Sequence, residues 1–172
     1  MTQPLVSTAG DARAEVRAQV HAHDRVMRYR HSGAGTSLLL LSADNDLWPG
    51  FAERLAEHYR VVVPELPDNP NEVAAELRCL LDGLGASQVP VIASGRYCDA
   101  ALELALGRNE FVGRAVLIPE PVGASSDLPS GTYTRAPVIT LPLCIVSREL
   151  PVAAALRRTI AFLQAPGAAT SA

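Results

Sequence analysis

Hydrophobic and polar positions in the first part of the chain predict a hairpin followed by two buried strands. From residue 15 to residue 30 apolar and polar positions alternate, with a break at residues 23 to 25, and this pattern predicts an antiparallel β-hairpin. A turn is expected at residues 32 to 35. Residues 37 to 41 and residues 60 to 66 are nearly uninterrupted apolar runs, which are typical of strands buried on both faces of a parallel sheet.

One helix is predicted after each of these buried strands. The first should place one apolar face along Trp48, Phe51, Leu55 and Tyr59. Residues 44 to 46 include two aspartates that could cap it. The second helix should extend from Glu72 to Leu84, with Asn71 as its N-cap and Gly85 closing its last turn.

The second half of the chain continues to alternate strands with helices. The pattern predicts a strand at 89–93, a helix after Tyr97, a strand at 113–118, a strand at 138–146 interrupted by Pro142, and a helix from Pro151 to Gln164. Residues 119 to 135 are rich in Pro, Gly and Ser and should form a loop.

This alternation is typical of the α/β fold class. We therefore expect a mostly parallel sheet with helices on both faces, entered through the N-terminal antiparallel hairpin. A single domain should occupy residues 14 to 164, between loose tails at 1–13 and 165–172.

The segment VPVIASGRYCDAALELA, residues 89 to 105, predicts a strand, a tight turn and a helix in immediate succession. Ser94, Gly95 and Arg96 form the turn, and glycine provides the backbone freedom that a sharp turn needs. A strand joined to a helix in this way is the setting of a nucleophile elbow.

On these residues the chain resembles the α/β-hydrolase family, whose elbow reads GxSxG and leads into a helix with small residues at fixed distances from the serine. If Ala101 and Ala105 are those small residues, the five motif positions read ASGRY and Gly95 replaces the nucleophile. A shift by one residue would make Ser94 the nucleophile, but it would place Leu104 where the helix should pack closely on the sheet. We favour the first register and keep the second open.

The resemblance extends over roughly residues 15 to 164. LLLLSADNDLW is similar to the family's strand and oxyanion loop, YRVVVPELPD to its next strand and turn, and LPLCIVSRELP to the strand that ends near the catalytic acid. The insertion that forms the family's lid is reduced to the loop after Pro119. The resemblance therefore implies a reduced α/β-hydrolase core without a lid.

Serine hydrolysis needs a nucleophile, a histidine, an acid and backbone donors for the oxyanion, and the chain departs from the family at each position. Gly95 stands at the nucleophile position, and the acid position aligns with Leu150, next to Glu149. The oxyanion loop, usually His-Gly in the family, reads Ser42–Ala43. The strand that would carry the histidine is expected to be deleted, because all four histidines lie in the first third of the chain: His21, His23, His31 and His58.

Ligands of open α/β sheets bind beyond the carboxyl ends of the strands. The residues expected to line this vestigial site are Ser42, Ala43, Asp44, Gly95, Arg96, Tyr97 and Arg148. The side chains that could still act in catalysis are Ser94, Glu65, Glu120 and Glu149. Carboxylates paired with arginine could perform acid/base chemistry in such a pocket. The simpler interpretation, which we favour, is that they are loop and capping residues with a few ion pairs.

Two further groups are interpreted as structural. Cys98 could be a nucleophile only with a lowered pKa, and a thiol in the first turn of a helix more often packs against the sheet. His21 and His23 have a spacing that metals can use, but no third ligand is evident, so no metal is predicted.

Composition narrows the function classes. The 172 residues, 48% hydrophobic and 19% charged, are those of one ordinary soluble domain, and three widely spaced cysteines indicate reduced thiols. A net charge of -3 without an arginine cluster among aromatics predicts neither a nucleic-acid nor a membrane partner. All fifteen basic residues are arginine, which excludes Schiff-base catalysis and a P-loop lysine. With no signal or membrane-spanning pattern, we expect a cytoplasmic protein.

The function expected from the sequence is that of a non-catalytic pseudo-hydrolase, without a cofactor, that binds a protein partner or a small apolar ligand. A homodimer could cover the surface that the missing lid exposes. The alternative is a non-hydrolytic enzyme, a cyclase, lyase or isomerase, in which Glu65, Glu120 or Glu149 acts as acid or base and Arg96 or Arg148 stabilises charge. The third hypothesis is a residual esterase that uses Ser94.

Overall fold

Strands and helices alternate in the computed structural model, which describes residues 15–42, 47–107, 111–120 and 141–165. Its strands are β1 Val16–Ala22, β2 Arg25–Ser32, β3 Ser37–Leu41, β4 Arg60–Pro64, β5 Val89–Ser94, β6 Val112–Ile118 and β7 Leu143–Ile145. Its helices are α1 Phe51–Ala56, α2 Pro70–Gly83, α3 Tyr97–Gly107 and α4 Val152–Gln164. Both expected tails, 1–13 and nearly all of 165–172, lie outside the described residues, so the domain limits stay predictions.

The strands form a sheet in the order β1-β2-β4-β3-β5-β6-β7. The β1–β2 and β2–β4 pairs are antiparallel, and the remaining pairs are parallel. From β3 the chain moves to β4 on one side, whereas from β5 it moves to β6 on the other side. The direction of winding therefore reverses between β3 and β5, and such a switch point is where open α/β sheets bind ligands.

Two hydrophobic cores lie on opposite faces of this sheet. Because side chains alternate along a strand, Leu39 and Leu41 join the core beneath α2 and α3, whereas Leu38 and Leu40 join the core beneath α1 and α4. By the same alternation on β5, Val91 joins the core beneath α2 and α3, whereas Ile92 joins the core beneath α1 and α4. The predicted mostly parallel sheet with helices on both faces and an antiparallel hairpin is confirmed.

The first helix is shorter than predicted. It begins at Phe51, its N-cap is Gly50 with φ of +72°, and it ends at Ala56. The aspartates predicted to cap this helix, at 44 to 46, lie outside the described residues. The N-cap position is held by Gly50, whose left-handed backbone suits glycine better than a residue with a side chain. Trp48 still packs against Phe51, with tilted rings whose centroids are 5.0 Å apart.

The second helix begins two residues earlier than predicted, at Pro70, so Asn71 is not its N-cap. Proline is well suited to a first helical position because its missing N–H has no partner there. The Asn69 side chain donates a hydrogen bond to Glu72 at 2.8 Å. At the other end, N–H groups of Gly85 and Ala86 bond back to the last turn, so Gly85 closes the helix as predicted.

The described part of the last strand is also shorter than predicted. Within the described residues β7 covers only Leu143–Ile145, and residues 138 to 140 lie outside them. Pro142 precedes the strand and accepts a hydrogen bond from Ala115, but it has no N–H to donate to a ladder.

The N-terminal hairpin turns through His23 and Asp24, both with positive φ, as in the two-residue turns that fit the twist of a hairpin. Arg25, expected in the turn, instead pairs with Ala22 as the first residue of β2. The hairpin packs on α2 through an ion pair between Arg25 and Glu76. None of the helices in the described ranges is both long and apolar enough to cross a membrane.

Candidate functional site

The turn between β5 and α3 lies at the switch point. Ser94 is the last residue of β5, Gly95 and Arg96 form the turn, and α3 begins at Tyr97. The Gly95 N–H donates to the Ile118 carbonyl at 3.0 Å, and the Cys98 N–H donates to the Gly95 carbonyl at 3.1 Å. These bonds fix the turn against β6 and against the first turn of α3.

Gly95 holds the strained position of this turn. Its φ is +53°, in the left-handed region that residues with a side chain rarely enter. A nucleophile elbow keeps its nucleophile on such a strained strand-to-helix turn. The backbone therefore favours the register in which Gly95, not Ser94, stands where the family has its nucleophile.

The helix after the turn packs tightly on the sheet. Ala101 and Leu104 are fully buried, and Ala105 is almost so. All three belong to the core beneath α2 and α3, so burial alone does not distinguish the two registers.

Glu120 occupies the space above Gly95. A β-carbon placed on Gly95 would lie 2.8 Å from Oε1 of Glu120, closer than real side chains approach. Glu120 follows β6 by two residues, and β6 pairs with β5 so that Ile118 lies beside Ser94. The parallel register of these two strands thus brings a carboxylate to the place where a serine side chain would begin.

Ser94 is directed toward β3. Its side chain is buried, and its Oγ lies 3.2 Å from Oγ of Ser42 and 3.4 Å from the Leu41 carbonyl. These contacts join the carboxyl ends of β5 and β3. A buried hydroxyl that bonds to a neighbouring strand lacks the exposure that a nucleophile needs.

Cys98 is a packing residue. Its thiol donates to the Ala93 carbonyl at 3.4 Å. Burial is the main cause that raises the pKa of this thiol to about 11. Since the thiolate is the reactive form, Cys98 is not activated as a nucleophile.

An open cleft of about 440 Å³ lies beside the turn. Of the predicted residues, the structure brings four to it: Ser42, Glu65, Arg96 and Tyr97. Three charged residues of its lining were not predicted: Arg17, Arg30 and Asp68. The remaining lining residues are Val63, Pro64 and Leu66. The alternation of polar residues along the hairpin marked the face to which Arg17 and Arg30 belong, but their place at the cleft depends on the pairing of β2 with β4.

Arg96 is held over the entrance of α3 by its neighbour. Its Nη2 donates to the Tyr97 hydroxyl at 2.9 Å, and its guanidinium lies 5.0 Å from the centre of the Tyr97 ring. The hydrogen bond to Tyr97 is the main cause that raises the pKa of Arg96. Tyr97 is buried, so it orients a cation that is itself exposed.

The residues after β7 do not line this cleft. The exposed Glu149 donates its backbone N–H to the Ser147 hydroxyl at 3.2 Å, and Arg148 beside it is half-buried. Leu150, at the family's acid position, packs against the core beneath α1 and α4. Ala43 and Asp44, predicted for the oxyanion loop, lie outside the described residues.

No histidine lines the described part of the cleft. His21 and His23 lie at the hairpin tip, where Nε2 of His23 is 3.9 Å from the Asp82 carboxylate on α2. Between β7 and α4, a stretch that the structure describes in full, no strand is present to carry a histidine. Nor do the described ranges contain a group of three or more side chains that could hold a metal ion.

Comparison with known proteins identifies the fold. The solved structure of the epoxide hydrolase CorEH is 24% identical, with a TM-score of 0.53 over 67% of this chain and 48% of that one. Cfl2 from Burkholderia cenocepacia is 19% identical, with a TM-score of 0.57 over 77% and 52%. CarC, a serine hydrolase involved in carbazole degradation, is 20% identical, with a TM-score of 0.53 over 64% and 50%.

The chain spans about half the length of these solved structures. Neither a protein-family model nor a curated protein matches the sequence. At these identities the likeness concerns the fold, and it agrees with the sheet order, the strand-turn-helix unit at the switch point and the antiparallel entry strands. The chain has the α/β-hydrolase fold, in a reduced form.

Proposed function

We propose that this protein is a pseudo-hydrolase, an α/β-hydrolase fold that binds at its elbow without forming an acyl-enzyme. The observation that carries the proposal is the pair formed by Gly95 and Glu120. Gly95 has the left-handed backbone of the turn but no side chain, and the end of the exposed Glu120 side chain lies 2.8 Å from the place where a β-carbon would be. An anionic carboxylate at that place would also repel the developing oxyanion of an ester.

The surroundings of Ser94 support the same conclusion. Its hydroxyl is buried against Ser42 and the Leu41 carbonyl, and no described histidine is hydrogen-bonded to it. A serine without a base retains the low nucleophilicity of an ordinary hydroxyl. A residual esterase would therefore need both a new base and a different side-chain direction.

The cleft favours a polar ligand over the small apolar ligand expected from the sequence. Five charged side chains line it, from Arg17, Arg30, Glu65, Asp68 and Arg96. An apolar ligand would displace water from these groups without replacing their hydrogen bonds, which costs free energy. A protein partner or a homodimer stays a prediction.

A non-hydrolytic enzyme is the second candidate, because one of the predicted carboxylates lies at the elbow. Glu120 approaches Gly95, and Glu65 lines the cleft nearby, whereas Glu149 does neither. In such an enzyme Glu120 at the turn or Glu65 in the cleft would be the acid or base.

Hydrolysis of p-nitrophenyl acetate tests the proposal. We expect the wild type, Ser94→Ala and Glu120→Gln to hydrolyse the ester at the same rate, equal to that of a general protein surface. A faster wild-type rate that Ser94→Ala abolishes would overturn the proposal in favour of an esterase. A faster rate that only Glu120→Gln abolishes would overturn it in favour of catalysis by the carboxylate.

A further inference from the structure

Two arginines face each other across the N-terminal hairpin. In the antiparallel pairing of β1 with β2, Arg17 lies directly opposite Arg30. Side chains of directly opposed residues project from the same face of the sheet, so two like charges are neighbours here. Like charges in this position destabilise a hairpin unless an opposite charge lies between them.

The described residues neutralise only one of these arginines by a direct contact. Nη1 of Arg30 lies 3.0 Å from Oε2 of Glu15, a carboxylate that is about half exposed, with 51% of its side-chain surface accessible. Arg17 has no ion pair or hydrogen bond within the part of the chain that the structure describes. Arg17 therefore lacks a directly bonded carboxylate among the described residues.

Both arginines line the cleft beside the elbow, and a third joins them. Arg96 reaches the same cleft from the turn before α3, where Tyr97 orients its guanidinium. Glu65 and Asp68 also line the cleft, so the lining carries three positive and two negative side chains. Guanidinium groups bind carboxylate and phosphate oxygens through paired, charge-assisted hydrogen bonds.

We propose that this cleft binds a small anionic ligand whose carboxylate or phosphate group lies between Arg17 and Arg30, with Arg96 at the elbow side. The bound anion relieves the repulsion between the two opposed arginines. The proposal rests on the proposed function only in placing the ligand site beside the elbow. Binding of an anion and absence of ester hydrolysis are measured separately, so either can fail without the other.

Titration with inorganic phosphate and, separately, with acetate tests the proposal and distinguishes the two sources of negative charge. Each anion is added to the full-length protein against chloride at constant ionic strength, and the dissociation constant is taken from amide chemical shifts. We expect saturable binding of at least one anion, and the tighter one identifies the ligand class. Binding of neither would overturn the proposal.

Three variants assign that binding to the arginines. Arg17→Gln should raise the dissociation constant about tenfold, as expected for the loss of one charge-assisted hydrogen bond. Arg28→Gln is the matched control, because Arg28 lies two residues from Arg30 on the same exposed strand face but does not line this cleft. Its constant should change by less than about twofold.

Glu15→Gln provides a change of opposite sign. Glu15→Gln removes a negative charge 3.0 Å from Nη1 of Arg30, and this charge repels an anion bound beside that arginine, so the dissociation constant should fall about threefold. A merely structural role of Arg17 and Arg30 would not produce this gain. Equal weakening by Arg17→Gln and Arg28→Gln, or weaker binding in Glu15→Gln, would overturn the proposal.

Discussion

The two sides of the turn between β5 and α3 differ in how tightly their residues are packed. On the core side Ile92, Ala101 and Leu104 are fully buried, and any change of size there is felt by the packed neighbours. On the cleft side Gly95 meets the end of the exposed Glu120 side chain, and Arg96 lies in solvent. The scaffold of an α/β-hydrolase can therefore persist because packing maintains it, while the residues above the turn are free to change.

The largest effect should come from the core side. Leu104→Ala removes a fully buried side chain, and we expect a loss of about 2 to 5 kcal/mol of unfolding free energy. Leu106→Ala, two residues along the same helix, is the matched control, because Leu106 is 41% exposed and should lose less than about 1 kcal/mol. Denaturant unfolding measures both. Equal losses would show that α3 is not packed as described.

Alanine substitutions at two glycines compare the cost of a clash with the backbone to the cost of a clash with a flexible side chain. A β-carbon at Gly113 would lie 2.6 Å from the Gln88 carbonyl, where the β5–β6 register shifts, and we expect Gly113→Ala to cost about 2 to 3 kcal/mol. A β-carbon at Gly95 meets only the end of a flexible side chain, so Gly95→Ala should cost about 1 kcal/mol, chiefly for its left-handed backbone.

The same unfolding experiment on a Glu120→Ala background isolates the Glu120 contact. There the cost of Gly95→Ala should fall slightly, since only the backbone strain remains. If Gly95→Ala lost more unfolding free energy than Gly113→Ala, the cleft side of the turn would not be the side that tolerates an added side chain.

Thr159 tests whether the core tolerates a polar group. It lies on α4, is fully buried, and its Oγ1 has no hydrogen-bond partner within the described residues. Thr159→Val keeps the shape and removes the hydroxyl, so it should stabilise the protein by about 1 kcal/mol. Thr159→Ser, which keeps the hydroxyl and loses the methyl group, should destabilise it. Loss of stability in Thr159→Val would indicate that the hydroxyl has a partner after all.

The smallest effect concerns the pH dependence of stability. Burial, with a further contribution from Arg60, lowers the pKa of His31 below its ordinary value of 6.5. The neutral ring is thus favoured in the folded state, and its contribution is complete above pH 6.5 and lost as the pH falls through the lower, folded pKa. His31→Gln should therefore lose less stability than the wild type between pH 7 and pH 5. Parallel profiles for the two proteins would contradict this.

The sequence predicted most of the scaffold because the signals are local. The apolar runs of β3 and β4 and the glycine that closes α2 are determined by a few neighbouring residues. The errors at α1 and β7 arose where proline and glycine next to apolar residues set boundaries that periodicity does not show.

The contacts of the candidate site depend on strand pairing, so the sequence pattern alone did not predict them. Glu120 reaches Gly95 only because β6 lies parallel to β5 with Ile118 beside Ser94. Arg17 meets Arg30 only because the turn contains two residues, which fixes the hairpin register. A prediction that the turn contains only residues 23 and 24 would have been enough to place Arg17 opposite Arg30.

Intact-protein mass measurement after incubation with a fluorophosphonate determines whether the elbow has kept its turn without a nucleophile. The probe forms a covalent adduct with an activated serine. We expect the wild-type mass to stay unchanged, as that of Ser94→Ala should. A stoichiometric adduct on the wild type that Ser94→Ala abolishes would show that Ser94 is an activated nucleophile and that the elbow is catalytic.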